Sequence, residues 1–301
     1  MKPSDIPLAL LVVVIWGLNF LVINVGLHEL PPILFVALRF LFAALPMVFF
    51  VTRPAVPWHL LCGYALFQFA VQFTLLFLGL RAGFPPGLAS LVMQLQAFFT
   101  IGLAVLLLGE RPRLAQLVGA SVAACGMGLV AAHLQARASI IGFVLVGSAS
   151  LSWAFANICT KKIGAVNPLA LVVWGSVLAT PPLLLSSLFV EGWPAWTAAA
   201  QHAGWRAALA VLYQAGPNTL IGYGIWSHLM RKYPAATIAP FSLLVPVIGM
   251  LSAALVVDEP LQWWKLVAAL LVLCGLALNL LAGRWAQYRN HTPRYPKAVK
   301  R

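Results

Sequence analysis

Apolar residues run along this chain in stretches of about 20, the length that crosses a bilayer as a helix, separated by short polar or proline-bearing breaks. The pattern predicts spans at 6–26, 31–52, 58–80, 86–108, 113–133, 139–160, 168–190, 205–229, 234–257 and 263–283. The runs are continuous, whereas a transmembrane β-barrel alternates over segments of about ten residues. The expected fold is therefore an all-α integral membrane protein with ten transmembrane helices. The first run follows Met1-Lys2-Pro3-Ser4-Asp5 with no small-residue cleavage site, and reads as an anchor helix rather than a removable signal.

Composition points the same way. Of 301 residues, 62% are hydrophobic and 8% charged, against about 25% charged in a soluble domain. So few charges cannot cover a globule, so most of the surface must face lipid. A formal net charge of +13 would hint at nucleic acid in a soluble protein, but here the placement of the charges decides. One set of span flanks carries Lys2, Arg53, Arg111, Arg113, Lys161, Lys162, Arg231, Lys232 and the tail residues Arg284, Arg289, Arg294, Lys297, Lys300 and Arg301. The opposite set carries Arg81, Arg137, Arg206 and Lys265. Basic residues stay on the cytoplasmic side, so both termini are expected there, with an even number of spans. Cys62, Cys125, Cys159 and Cys274 sit in separate apolar runs and read as small core hydrophobes, not a disulfide frame or metal site.

The chain also repeats itself. Trp16 to Phe20 in the first span matches Trp153 to Asn157 in the sixth at an offset of 137. At an offset of 149, Pro85 matches Pro234, Glu110 matches Glu259, Leu117-Val118 matches Leu266-Val267, and Cys125-Gly126 matches Cys274-Gly275. The extra residues fall between Glu191 and Trp205. Five spans per repeat is an odd number, so the two copies must be inverted relative to each other. The expected organisation is a first five-helix repeat at 1–137, a second, inverted one at 138–287, and a basic cytoplasmic tail at 288–301. Inverted repeats are common in transporters, where two halves close in turn around a central site; duplication of a mere scaffold or channel is the alternative.

These features resemble the EamA family of the drug/metabolite transporter superfamily over about residues 6–285. The resemblance is carried by Leu8–Phe20, Gly87–Val92, Gln96–Ile101, Ile221–Trp226 and Leu243–Val247. These stretches look most like members that export cysteine-pathway metabolites such as O-acetylserine and cysteine. The resemblance implies a multi-pass exporter of the inner (cytoplasmic) membrane that works by alternating access. Its partners would be a small-molecule substrate and the lipid bilayer, with no nucleic acid and no cofactor, and a monomer would suffice. Export of other amino acids, aromatic or branched, or of amphipathic drugs stays open.

Polar residues at membrane depth usually face a cavity or another helix. Arg39 is the one charge well inside a span: a counter-group for a substrate carboxylate, or a tie between helices. Tyr64, Gln68 and Gln72 share a face of the third span at i, i+4 and i+8, and Gln214, Asn218 and Gly222 share a face of the eighth, where Pro217 breaks the ladder. Tyr213 and Tyr223 add polar-tipped rings. Such amides suit a zwitterion or serve as interhelical glue. Trp16, Asn19, Trp153 and Asn157 line a cavity or hold helices together. Gln94 and Gln96 lie about 200° apart on one helix, so one of them, taken as Gln94, faces the centre. Pro240 and Pro246 interrupt the ninth span as a hinge or a passive kink, while the fourth is expected to run uninterrupted after Pro86. Ala120, Ala124 and Gly128 suggest close helix packing. Glu110, Asp258 and Glu259 read as caps of the helices that follow them.

No H-E-x-x-H or G-x-S-x-G motif and no acid within a span offers intramembrane enzyme chemistry. One arginine is too few for nucleotide-sugar phosphates. Without a buried carboxylate, export is either facilitated or proton-coupled through a span-end group such as His228.

Overall fold

The computed structural model describes residues 2–109, 114–133, 137–232 and 239–291. Those residues form helices and connecting turns, with no strand among them. From the N-terminus come α1 (Ile6–Gly26), α2 (Pro32–Val48), α3 (Trp58–Ala65), α4 (Gln72–Arg81), α5 (Pro86–Val92), α6 (Gln96–Leu108) and α7 (Leu114–Ala132). There follow α8 (Arg137–Ile163), α9 (Pro168–Val190), α10 (Gly192–His202), α11 (Trp205–Tyr213), α12 (Gly222–Lys232), α13 (Val245–Val256) and α14 (Trp263–His291). Among the described residues, five helical runs are long and apolar enough to cross a membrane: Pro3–Gly26, Trp58–Arg81, Pro86–Leu108, Ile140–Ile163 and Pro168–Val190.

Local chemistry sets several of the boundaries. Pro32, Pro86, Pro168 and Pro246 occupy first turns, where the missing N–H has no intrahelical partner to lose. Asn167 caps α9 by accepting from Leu169 N at 3.0 Å. Gly109 ends α6 at φ +68°, a left-handed conformation that glycine adopts without a Cβ clash. The outward faces are apolar: Phe49, Leu106, Phe189 and Leu255 are 78–84% exposed, a surface suited to lipid and not to water.

Four helix junctions carry non-α turns, and they come in corresponding pairs. A π-helical stretch, Leu66–Val71, joins α3 to α4, and another, Gln214–Ile221, joins α11 to α12. Three-ten turns at Met93–Leu95 and Ala239–Leu244 precede α6 and α13. A widened turn frees carbonyls, and each π stretch gives one to a donor from a neighbouring helix: Ser152 Oγ to Phe67 O at 2.7 Å, and Trp16 Nε1 to Asn218 O at 3.3 Å. Packing follows the same pairing. α1 lies against α11, α12 and α13, as α8 lies against α3, α4 and α6, while α2 packs on α9 and α7 on α14.

The two parts of the chain interlock at one end of the bundle through carboxylates that cap each other's helices. Glu191, after α9, accepts from Ile33 N at 2.7 Å and Leu34 N at 2.9 Å in the first turn of α2. Glu29, after α1, accepts from Gly204 N at 2.7 Å where α11 begins. Glu259, before α14, accepts from Gly87 N at 3.1 Å in α5 and from Lys265 Nζ at 3.0 Å. An anion at a helix N-terminus satisfies unpaired N–H groups and meets the positive end of the dipole. Arg81 Nη1 bonds Leu27 O at the same end. At the opposite end Asp5 pairs with Lys232 at 2.8 Å.

Several sequence expectations are corrected here. The fourth span is not uninterrupted, since the Met93–Leu95 turn breaks it. By contrast, the ninth span is interrupted as expected, with Pro240 in the Ala239–Leu244 turn and Pro246 in the first turn of α13, and Pro217 lies where the second π stretch replaces regular winding. Glu259 caps α5, not the helix that follows it. The extra residues before Trp205 form α10. Ala124 and Gly128 are exposed, and the close α7–α14 contact is made instead where Gly275 lies against Gly119 O and Ala123. Cys62, Cys125 and Cys274 are exposed, not core residues. Glu110, Pro234 and residues 292–301 of the tail lie outside the described residues.

Candidate functional site

A cavity of about 560 Å³ opens between the helices, within the range of small-molecule sites. It is lined by both parts of the chain. The first part supplies Trp16, Asn19, Arg39, Tyr64, Gln68, Gln72, Phe73, Gln94 and Gln96; the second supplies Trp153, Asn157, Thr160, Pro168, Asn218, Tyr223 and Ser242, among others. The non-α turns explain why so many polar side chains converge. Gln68 lies in the first π stretch, Asn218 in the second, and Gln94 in a three-ten turn, so part of the wall is built where the helices depart from regular winding. From the level of Arg39 the cavity extends to Thr160 and Pro168, at the end of the bundle away from the carboxylate caps.

Arg39 sits in the wall, fully buried. Its Nε donates to Thr219 Oγ1 at 3.1 Å and its Nη1 to Gln214 Oε1 at 2.7 Å. The guanidinium carbon is 3.9 Å from the centre of the Phe73 ring and 5.0 Å from that of Phe40, a cation–π cradle. Gln214 Oε1 also accepts from Asn218 Nδ2 at 3.1 Å. Gln68 Nε2 donates to Gln72 Oε1 at 2.8 Å, which leaves the oxygen of Gln68 and the nitrogen of Gln72 for other partners. Across the cavity Asn157 Nδ2 donates to Gln96 Oε1 at 2.9 Å and Thr100 Oγ1 at 3.0 Å. The Trp16 ring packs on Tyr223 and Trp226, with centroids 5.4 and 5.2 Å apart.

The structure brings together most of the residues singled out from the sequence. Trp16, Asn19, Arg39, Tyr64, Gln68, Gln72, Gln94, Trp153, Asn157, Asn218 and Tyr223 all line the cavity. Two do not. Tyr213 donates its hydroxyl to Ile15 O at 2.7 Å and ties α11 to α1, while Gln214 lies behind the wall as the partner of Arg39. Gln96 joins Gln94 in the lining, contrary to the expectation that one of them would point away. The three-ten turn ends between them, so the regular 100° step does not hold there. Thr160, Pro168 and Ser242 were missed; the hydroxyl at the end of the sixth span was the legible clue.

Comparison with known proteins decides the family. The model of the EamA-like transporter family matches the chain twice, over residues 4–132 and 140–281. The chain belongs to the EamA-like transporter family. A protein of Salmonella typhimurium named "Probable amino-acid metabolite efflux pump" is 44% identical over 290 residues, covering 94% of this chain and 97% of its own length. Its namesake from Escherichia coli K12 is 42% identical, covering 95% and 97%. A solved crystal structure superposes with a TM-score of 0.64 at 19% identity, covering 95% of this chain and 100% of the other, which shows the fold alone. This EamA-like chain is thus a multi-pass membrane protein of a transporter family, and not an enzyme.

Proposed function

We propose that this protein exports small amino acids or their metabolites, cysteine and O-acetylserine among them, across the inner membrane by alternating access. The observation that carries the reading is the central cavity, walled by both parts of the chain and rich in amides around one buried arginine. The names of the two efflux-pump relatives support the substrate class. In this reading the chain crosses the membrane ten times, as two inverted repeats of five with both termini cytoplasmic. The paired non-α turns and the paired helix contacts support the repeats, and the flanking basic residues support the orientation. The Thr160–Pro168 mouth is then cytoplasmic and the carboxylate-capped end external, so this conformation receives substrate from inside.

The test is counterflow in liposomes containing the purified protein, with a panel of labelled small amino acids and O-acetylserine. A carrier accumulates label transiently against an excess of the same unlabelled compound inside. Net leak without exchange for every compound would instead indicate a channel and overturn the reading. Arg39→Ala and Gln68→Ala are expected to abolish exchange while membrane abundance holds.

A further inference from the structure

Arg39 is a buried cation without a counter-charge. The acids among the described residues, Asp5, Glu29, Glu191, Asp258 and Glu259, all lie at the ends of the bundle, and none pairs with it. A guanidinium has five N–H donors, of which Thr219 and Gln214 take two. The Gln214 amide is fixed in orientation because its oxygen accepts from both Arg39 and Asn218. That choice leaves its nitrogen, in a fully buried side chain, with no acceptor. The cluster therefore has surplus donors and a surplus positive charge, and lacks an acceptor anion. Elsewhere in the lining the defect is the opposite: Asn19 Oδ1 is a buried acceptor with no donor. Buried polar groups are nearly always paired, so a guanidinium with spare donors and an unpaired acceptor in one cavity lining call for a ligand with one end for each.

Resting on the exporter reading, we propose that Arg39, held from behind the wall by Gln214, forms the subsite for the substrate carboxylate, and that Asn19 receives the substrate's ammonium. The planar guanidinium offers a carboxylate two parallel donors, and Gln214 fixes its orientation from behind. Thr219 and Phe73 hold the fork in place from the side and the face. The cavity then selects compounds that keep a free carboxylate next to a free amine, and tolerates variation in the side chain. The apolar stretch of wall near Trp16, Tyr223 and Trp226 takes that variable part.

The experiment uses the wild-type protein in liposomes and the labelled amino acid that gives the strongest counterflow, competed with its own carboxamide and its own decarboxylated amine. A site built to pair a polar group rejects analogues that lack it by large factors, so both analogues are expected to compete at least about 100-fold more weakly. Arg39→Lys, which keeps the charge and loses the fork, is expected to weaken the amino acid about 10-fold; in Arg39→Met, which no longer exchanges, acid and carboxamide should stabilise the detergent-purified protein against heat equally. Carboxamide competing within about 3-fold of the acid in the wild type overturns the subsite while leaving the exporter reading intact. Should Arg39→Met not fold, the wild-type competition still decides. Thermal stabilisation of the detergent-purified protein by chloride alone, equal to that by the amino acid, would assign the cluster to a resident anion and also overturn the proposal. Absence of counterflow for every compound overturns the exporter reading and this subsite with it.

Discussion

Glu191→Gln tests whether the carboxylate caps hold the bundle shut at their end. The carboxylate accepts from Ile33 N at 2.7 Å, Leu34 N at 2.9 Å and Ser187 Oγ at 2.6 Å. Glutamine keeps one carbonyl oxygen but sets an NH₂ group against one of the two backbone N–H donors, so one charge-assisted bond is lost outright. Such a bond is worth about 1.5–3 kcal/mol, and removing the negative charge from the helix end costs about 0.3–1 kcal/mol more. A total of about 2–4 kcal/mol corresponds to about 30- to 700-fold in the equilibrium between closed and open ends. The assay places a single cysteine at Leu76, a buried residue of the cavity lining, in a background lacking Cys62, Cys125, Cys159 and Cys274. Intact cells are then treated with a membrane-impermeant maleimide. Labelling from outside should rise more than tenfold with Glu191→Gln. A rate within twofold of the parent, in protein of normal abundance, refutes the assignment of this cap to the external closure.

Three further outcomes follow from close packing and buried charge. Gly275→Leu should destabilise the fold by about 2–3 kcal/mol through overpacking, because even a Cβ would sit 2.9 Å from Ala123 N. Gly128→Ala, at an open position inside α7, should not lower the melting temperature and serves as the control. Gly222→Ala puts a methyl group 2.6 Å from Trp16 Nε1; it should push the indole off Asn218 O and reduce counterflow at least tenfold with little loss of abundance. Lys265→Met strands Glu259 as a partly buried charge held by Gly87 alone, a loss of up to about 3 kcal/mol. The double variant with Glu259→Gln should recover most of it, and failure to recover would show that the lysine acts through packing.

The apolar runs made the helices legible because lipid, like a protein core, rewards continuous hydrophobic faces. The prolines at 32, 86 and 168 marked their starts. The amides at 68, 72 and 218 stood out because polar groups at membrane depth need partners, and they do line the cavity. What the sequence hid depends on tertiary contact or on irregular winding. Nothing in Leu66–Val71 announces a π turn, since it has no proline; the same distortion at Gln214–Ile221 was visible only through Pro217. Gln96 was misassigned because an ideal helical wheel was carried across a three-ten turn. Tyr213 and Gln214 have the right chemistry and lie in the right helix, but they spend it on Ile15 and Arg39. The carboxylate caps were unreadable, because each joins residues more than 150 positions apart.

A transporter whose two faces were chemically identical would have no preferred direction in which to rest. Here the helix α10, which carries the exposed Trp193 and is followed by the exposed Trp205, has no counterpart in the short Arg53–Trp58 connection. Indole rings favour the boundary between headgroups and acyl chains, and the exposed Trp193 and Trp205 suit α10 to that boundary. Under the alternating-access proposal, a helix anchored in this way makes the balance between inward- and outward-open forms depend on bilayer thickness.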